Sequence, residues 1–356
     1  MISSFRLPAP GIVFALSAAI LFGASTPFSK VLLGSIEPVG LAGLLYLGSG
    51  VGLTVLWWLR LRFKRGNTRD PNIRQADIPW LAGAIVSGGI VGPVLLMIGL
   101  VITPASSASL LLNLEGVFTA LIAWFVFKEN VDRRIAFGMA VIAIGGLFLS
   151  WSGRPEMGEI WGTTAVAGAC LAWAIDNNLT RKVSAGDPVQ VAATKGLVAG
   201  LVNLTIAVAT GTRLPGWPTI LMVALIGLVS YGISLALFVL ALRHIGTART
   251  GAYFSTAPFV GAAISIVFFG DGFTVPFAVA AILMGVGVWL HLTERHLHEH
   301  SHYALEHEHM HIHDEHHQHA HSEAALSVEP HNHAHRHDEV LHSHSHYPDL
   351  HHRHEH

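Results

Sequence analysis

Ten apolar stretches of about 20 residues follow one another through the first 295 residues of this 356-residue chain, at 11–33, 38–59, 79–100, 104–127, 135–151, 160–180, 188–210, 218–241, 250–269 and 275–293. About 20 mainly apolar residues are what a helix needs to cross the hydrocarbon of a bilayer. Lipid offers a backbone no hydrogen-bond partners, so only helices and closed barrels can span it. Barrel strands would alternate in polarity over units of about ten residues, whereas these stretches are apolar on every face and rich in Leu, Ala, Ile and Gly. They predict an all-α integral membrane protein with ten transmembrane helices. Composition agrees: 51% of residues are hydrophobic and 12% charged, against roughly a quarter charged in soluble domains. A soluble enzyme with one large core is excluded. The first stretch is longer than a signal-peptide core and lacks a clear small-x-small cleavage site, so it reads as a retained span. The single cysteine, Cys170, allows no internal disulfide.

Lysine and arginine set the expected orientation. Loops on the N-terminal side hold fourteen of them: Arg6, Arg60, Arg62, Lys64, Arg65, Arg69, Arg74, Lys128, Arg133, Arg134, Arg181, Lys182, Arg243 and Arg249. The opposite loops hold two, Arg154 and Arg213. Both termini are therefore expected in the cytoplasm, with the chain multi-pass in the cell membrane.

The two halves also resemble each other. Phe22 and Lys30 fall on Trp173 and Arg181 at an offset of 151, and Pro38 falls on Pro188 at 150. Leu100, Ile122 and Glu129 fall on Leu242, Ile264 and Asp271 at 142; Phe137, Ile142 and Gly145 fall on Phe277, Ile282 and Gly285 at 140. The one large step coincides with the longer basic loop after the second span. Five spans per copy is odd, so the second copy enters the membrane from the other side, and inverted repeats of this kind support alternating access about a midplane site. The expected domains are a first repeat at 1–151, a second at 152–295, and a tail at 296–356. Gly48-x3-Gly52, Gly88-x3-Gly92 and Gly196-x3-Gly200 read as small-x3-small packing.

Ten spans, the five-plus-five repeat, the fourth span ending Trp124-Phe-Val-Phe-Lys-Glu129 before a basic turn, and Trp173-Ala-x6-Arg181-Lys182 in the sixth together resemble the EamA-type branch of the drug/metabolite transporter superfamily. The resemblance covers residues 11 to about 293. It implies a central cavity lined by spans 1, 3, 4 and 6, 8, 9, and transport of amino acids, purines, sugars or other small metabolites, often outward. One departure lies in span 4, where many relatives have a mid-helix proline and this chain has Glu115-Gly116; the second half keeps Ala257-Pro258.

Ionisable groups at membrane depth cost at least ~2.5–3.5 kcal/mol on insertion scales, so they face a cavity or a partner. Glu115 lies midway along span 4, with Asn113 beside it on a different face. Asp176, Asn177 and Asn178 form a polar turn near the cytoplasmic end of span 6, and Lys195 of span 7 sits at a depth comparable to Asp176, where it would neutralise it. Tyr253 and Ser255 precede Pro258, a hinge candidate because proline frees a carbonyl and permits a kink. These residues form the expected substrate and proton site. Low dielectric favours the neutral form of a carboxyl group, which suits proton coupling. Lys30 reads as a snorkelling interfacial lysine.

The last 61 residues hold 23 of the 25 histidines, interleaved with acids. The segment is too poor in apolar residues to offset chain entropy and is expected to be disordered. His307, His309, His311, His313, His316, His317, His331, His333, His335 and His337 supply neutral imidazoles that suit zinc, nickel, copper or cobalt. The expected function is therefore a secondary transporter, an exporter of a small polar metabolite, with a metal-binding tail. A divalent-metal efflux carrier with the tail as donor arm or sensor is the alternative. No catalytic motif or required cofactor is evident. Expected partners are the solute, the lipid bilayer, transition-metal ions at the tail and a second copy of the chain, but no nucleic acid.

Overall fold

A computed structural model describes residues 10–63, 73–126, 133–150, 157–183, 187–238, 240–241, 250 and 253–292 of the membrane part, and 296–302, 305–311, 331–337 and 340–346 of the tail. The two form separate compact units, Met1–Glu294 and Arg295–His356. The described elements of the first are helices: α1 (Pro10–Gly23), α2 (Ser25–Leu32), α3 (Pro38–Phe63), α4 (Ile78–Ala84), α5 (Gly92–Ile102), α6 (Ala105–Leu111), α7 (Leu114–Phe125), α8 (Arg133–Ser150), α9 (Met157–Val183), α10 (Pro188–Ala209), α11 (Trp217–Gly227), α12 (Ala257–Phe269) and α13 (Val275–Leu292). Among the described residues six stretches are long and apolar enough to cross a membrane: Pro10–Leu32, Pro38–Arg60, Gln75–Ile102, Ala105–Phe125, Val189–Ala209 and Trp217–Phe238. Three shorter apolar helices accompany them. Large apolar side chains such as Leu147, Leu221, Val267, Phe268 and Ile282 point outward and exposed, as they must where lipid is the solvent.

Close backbone approach organises the interior. The helix pair α3 and α10 meets at glycines from both sides: a Cβ built on Gly50 would lie 2.3 Å from the amide nitrogen of Leu197, and one on Gly200 2.4 Å from that of Leu47. Lipid gives helices no hydrophobic reason to associate, so tight van der Waals packing of this kind is a main source of attraction. Helices α8 and α13 pack likewise, with Gly287 against Ile142. All three small-x3-small patterns lie at such contacts. Gly48 meets Ala224, Gly52 meets Leu228, and the Gly88-x3-Gly92 edge receives Asp176 and the Trp173 ring.

Several spans are interrupted. Between α4 and α5, residues Ile85–Val91 form a π-helical turn, and after α11 residues Leu228–Ile233 form another. Ile85-Val-Ser-Gly-Gly-Ile90 and Leu228-Val-Ser-Tyr-Gly-Ile233 match at four of six positions at an offset of 143. A π turn widens the hydrogen-bond ladder and recurs at functional sites. Two further breaks, at Leu112–Asn113 between α6 and α7 and at Ser255–Thr256 before α12, are separated by the same 143 residues. Pro258 sits at the first turn of α12, where its missing amide donor costs nothing.

The tail unit carries four strands, β1 (His296–His302), β2 (Leu305–His311), β3 (His331–His337) and β4 (Val340–His346). They pair antiparallel as β1 with β4 and β2 with β3. This differs from the disorder expected from its composition. That expectation weighed apolar content alone, whereas His-x-His alternation has the period of two that a pleated strand carries. The register sets His298 opposite His344, His300 opposite His342, His307 opposite His335 and His309 opposite His333. Two-stranded ribbons of this kind are marginal in water without further support.

Candidate functional site

The break at Leu112–Asn113 puts Glu115 in the first turn of α7, where a carboxylate is favoured by the free amides and partial positive charge of a helix N-terminus. Its Oε1 accepts a hydrogen bond of 2.8 Å from Asn177 Nδ2 on α9. Asn177 also reaches Thr119 Oγ1, one helical turn below Glu115, at 3.5 Å. Asn178 Nδ2 donates to the Thr119 carbonyl at 3.3 Å. Residues 115, 119, 177 and 178 thus join α7 to α9. Beside them Gly116 is exposed, and a Cβ built there would meet nothing within 4 Å.

Asp176 points the other way from Asn177, into the Gly88 edge. Lys195 Nζ donates to both its carboxylate oxygens, at 2.5 and 2.8 Å, with side chains only 12% and 10% exposed. Thr180 Oγ1 donates to Asp176 at 2.7 Å and lies 3.1 Å from Lys195 Nζ. A pair so satisfied is neutral and anchored. Among the described residues, Glu115 is hydrogen-bonded through a neutral amide rather than to a cation.

The π turn of residues 85–91 faces this cluster. The Gly88 carbonyl accepts from Trp173 Nε1 and from Tyr46 Oη, each at 2.9 Å, and the Gly89 carbonyl accepts from Asn203 Nδ2 at 3.0 Å. Widening of the helix is what leaves carbonyls available to neighbouring spans. An aromatic run extends from there: Phe22 packs edge-on against Trp173 and Tyr231, Tyr46 lies 5.2 Å from Tyr231, and Phe254 lies 5.4 Å from Phe22 and 4.9 Å from Phe238.

The remaining expected site residues are dispersed. Asn113 is buried and donates to the Leu110 carbonyl and, at 3.9 Å, to Met284 Sδ on α13, so it serves packing. Tyr253 and Ser255 lie at the break before α12 and are half-buried; the Tyr253 carbonyl accepts from Thr256 Oγ1. His313, His316 and His317 lie outside the described residues, and His307, His309, His311, His331, His333, His335 and His337 occupy β2 and β3. The aromatic run was missed in the sequence because its members come from five segments far apart. The pairing of Phe22 with Trp173 at offset 151 was the available signal.

Lys30, expected as a snorkelling lysine, caps a helix end: its ammonium donates to the carbonyls of Leu100, Val101 and Thr103 at the end of α5. Orphan carbonyls of a helix C-terminus attract a cation.

The sequence matches the EamA-like transporter family twice, over residues 9–151 and 160–293. The chain belongs to this family. It is a multi-pass membrane transporter of the drug/metabolite transporter superfamily. An uncharacterized transporter of Methanothermobacter thermautotrophicus is 28% identical over 296 residues, covering 79% of this chain and 85% of that protein. A protein of Pseudomonas fluorescens named as a probable 4-amino-4-deoxy-L-arabinose-phosphoundecaprenol flippase subunit, ArnE, is 36% identical over 110 residues, 30% of this chain and 96% of its own. A solved crystal structure shares the EamA chain's fold, with a TM-score of 0.60 at 17% identity, over 79% of this chain and 95% of that one.

Proposed function

We propose that this chain is a secondary transporter that exports a small polar solute carrying an amine, such as an amino acid, by alternating access about a site near the bilayer midplane. The observation that carries the reading is the Glu115–Asn177 hydrogen bond, which joins α7 and α9 at a break in span 4. Asp176 is neutralised by Lys195, so among the described residues of the site the negative charge left to offer is that of Glu115. A carboxylate held by a neutral donor suits an ammonium, through charge and hydrogen bonding. The same carboxyl group can take a proton when the solute leaves. The relative named for an amino sugar is in keeping with an amine-bearing cargo.

Alternating access requires two halves, and the layout we propose is ten helices in two inverted sets of five, with both termini cytoplasmic. Supporting it are the two family matches, the π turns and breaks repeated at 143 residues, and the concentration of lysine and arginine on one side. The tail is read as an appended transition-metal buffer or sensor. Metal as cargo would need ligand sets within the spans, and among the described residues no three His, Cys, Asp or Glu side chains stand close enough to hold an ion.

The test is transport in proteoliposomes. A screen of amine-bearing solutes under an imposed pH gradient should identify a substrate whose flux depends on the gradient. In Glu115→Gln that dependence should disappear. Undiminished, still pH-driven flux in this variant would overturn the assignment.

A further inference from the structure

The turn joining α5 to α6 is held by opposite charges from two other spans. Lys30, near the end of α2, donates to the carbonyls of Leu100, Val101 and Thr103 at the C-terminus of α5. Asp271, just beyond α12, accepts from the Ser106 amide at 2.8 Å at the N-terminus of α6. Each charge complements the helix end it meets. Asp271 is aimed by Gly270, whose left-handed φ of 73° ends α12.

Between this turn and mid-span, spans 1, 4 and 9 pack closely. A Cβ on Gly261 would stand 2.6 Å from the Gly23 carbonyl and 2.7 Å from Ser109 Oγ, and one on Gly23 would stand 2.3 Å from the Ala257 carbonyl. Phe28 and Phe269 cross edge-on at 5.9 Å. Below the break in span 4, by contrast, Gly116 and Asn177 are exposed.

We infer that Lys30 and Asp271 form an external latch, whose contacts with the 100–106 turn hold the outer face closed while the inner half is open. The proposal rests on the transporter reading above. Sequence repetition supplies a twin: Lys30 falls on Arg181, Asp271 on Glu129, and Leu100 on Leu242. The sign of charge is kept at both positions. In a two-state protein, each latch stabilises only the state in which it is made, so losing one shifts the population toward the other.

Site-directed labelling tests this without a known substrate, so its outcome is separate from that of the transport screen. In a Cys170→Ser background, Ser109→Cys reports the outer face and Gly116→Cys the inner one. An impermeant thiol reagent is applied to spheroplasts for the first and to inverted vesicles for the second. Lys30→Gln and Asp271→Asn should each raise labelling of Ser109→Cys from outside roughly tenfold, as expected from losing one charge-assisted hydrogen bond, and lower labelling of Gly116→Cys. Lys30→Arg should leave both rates near the starting value. Unchanged labelling in monodisperse Lys30→Gln and Asp271→Asn would mean that these groups only cap helices, and would overturn the latch. Should those variants fail to fold, Ser106→Pro decides, since it removes only the amide that donates to Asp271. It should raise outer labelling, and an unchanged rate would overturn the proposal.

Discussion

Replacing Lys195 by Met removes the cation from the Asp176 pair while keeping the length and apolar volume of the side chain. Lys195 contacts both carboxylate oxygens at 2.5 and 2.8 Å, and neither side chain is more than 12% exposed. The single variant therefore leaves a buried carboxylate pressed against the Gly88 edge without its counter-ion. Breaking one side of a buried pair costs about 3–5 kcal/mol. Thr180 still donates to Asp176 at 2.7 Å, which offsets about 1 kcal/mol, so a net loss of about 2–4 kcal/mol is expected. With roughly 2–4 °C per kcal/mol for a unit of this size, Tm should fall by about 4–16 °C. Intrinsic tryptophan fluorescence of purified protein in detergent measures this. Asp176→Asn combined with Lys195→Met should recover most of the loss, because the stranded charge is gone. A single variant within about 1 °C of the parent, or a double variant as unstable as the two single losses summed, would refute the account of a mutually neutralising pair.

Other outcomes follow from the same geometry. Gly88→Ala would place a methyl carbon 1.9 Å from Asp176 Oδ2 and should destabilise by about 1–3 kcal/mol, read as a lower midpoint in the same unfolding assay. Trp173→Phe keeps an aromatic ring, though a smaller one, but removes the donor to the Gly88 carbonyl, and a loss of at least about 1 kcal/mol is expected. Asn177→Leu should weaken substrate binding more than stability, measured as KM in proteoliposomes against the unfolding midpoint. Deleting residues 296–356 should abolish high-stoichiometry zinc or nickel binding in equilibrium dialysis while preserving transport through the membrane part; unchanged metal binding would remove the tail's assigned role.

Much of this site was legible from residue type and depth. Glu115 stood out because a carboxylate in mid-span is costly, and Asp176 and Lys195 because their depths matched. What the chain order concealed was direction. Asp176, Asn177 and Asn178 are neighbours in sequence, yet successive residues on a helix point about 100° apart, so one faces Lys195, one Glu115 and one the Thr119 carbonyl. The partners of Lys30 are hidden for a related reason: snorkelling weighs a lysine against the interface alone, whereas the carbonyls it meets lie some 70 residues away. Asn113 is expected at the site, and the break in span 4 turns it toward α13. The tail's strands were hidden behind composition, which ignores the period at which histidine recurs.

The π turns at residues 85–91 and 228–233 act on the whole length of their spans as well as locally. Relative to an α-helix, each amounts to a single residue inserted into a span, and each rotates everything beyond it by roughly a quarter of a turn. Its presence at matching positions in both family-matched stretches means that the same rotation is imposed on the two corresponding segments. Within that shared geometry the residues differ, so that Gly88 offers a carbonyl where Tyr231 offers a ring. Deleting one residue from either turn would restore the α-helical register, and the rotated face beyond it would show how much of the candidate site depends on the extra residue.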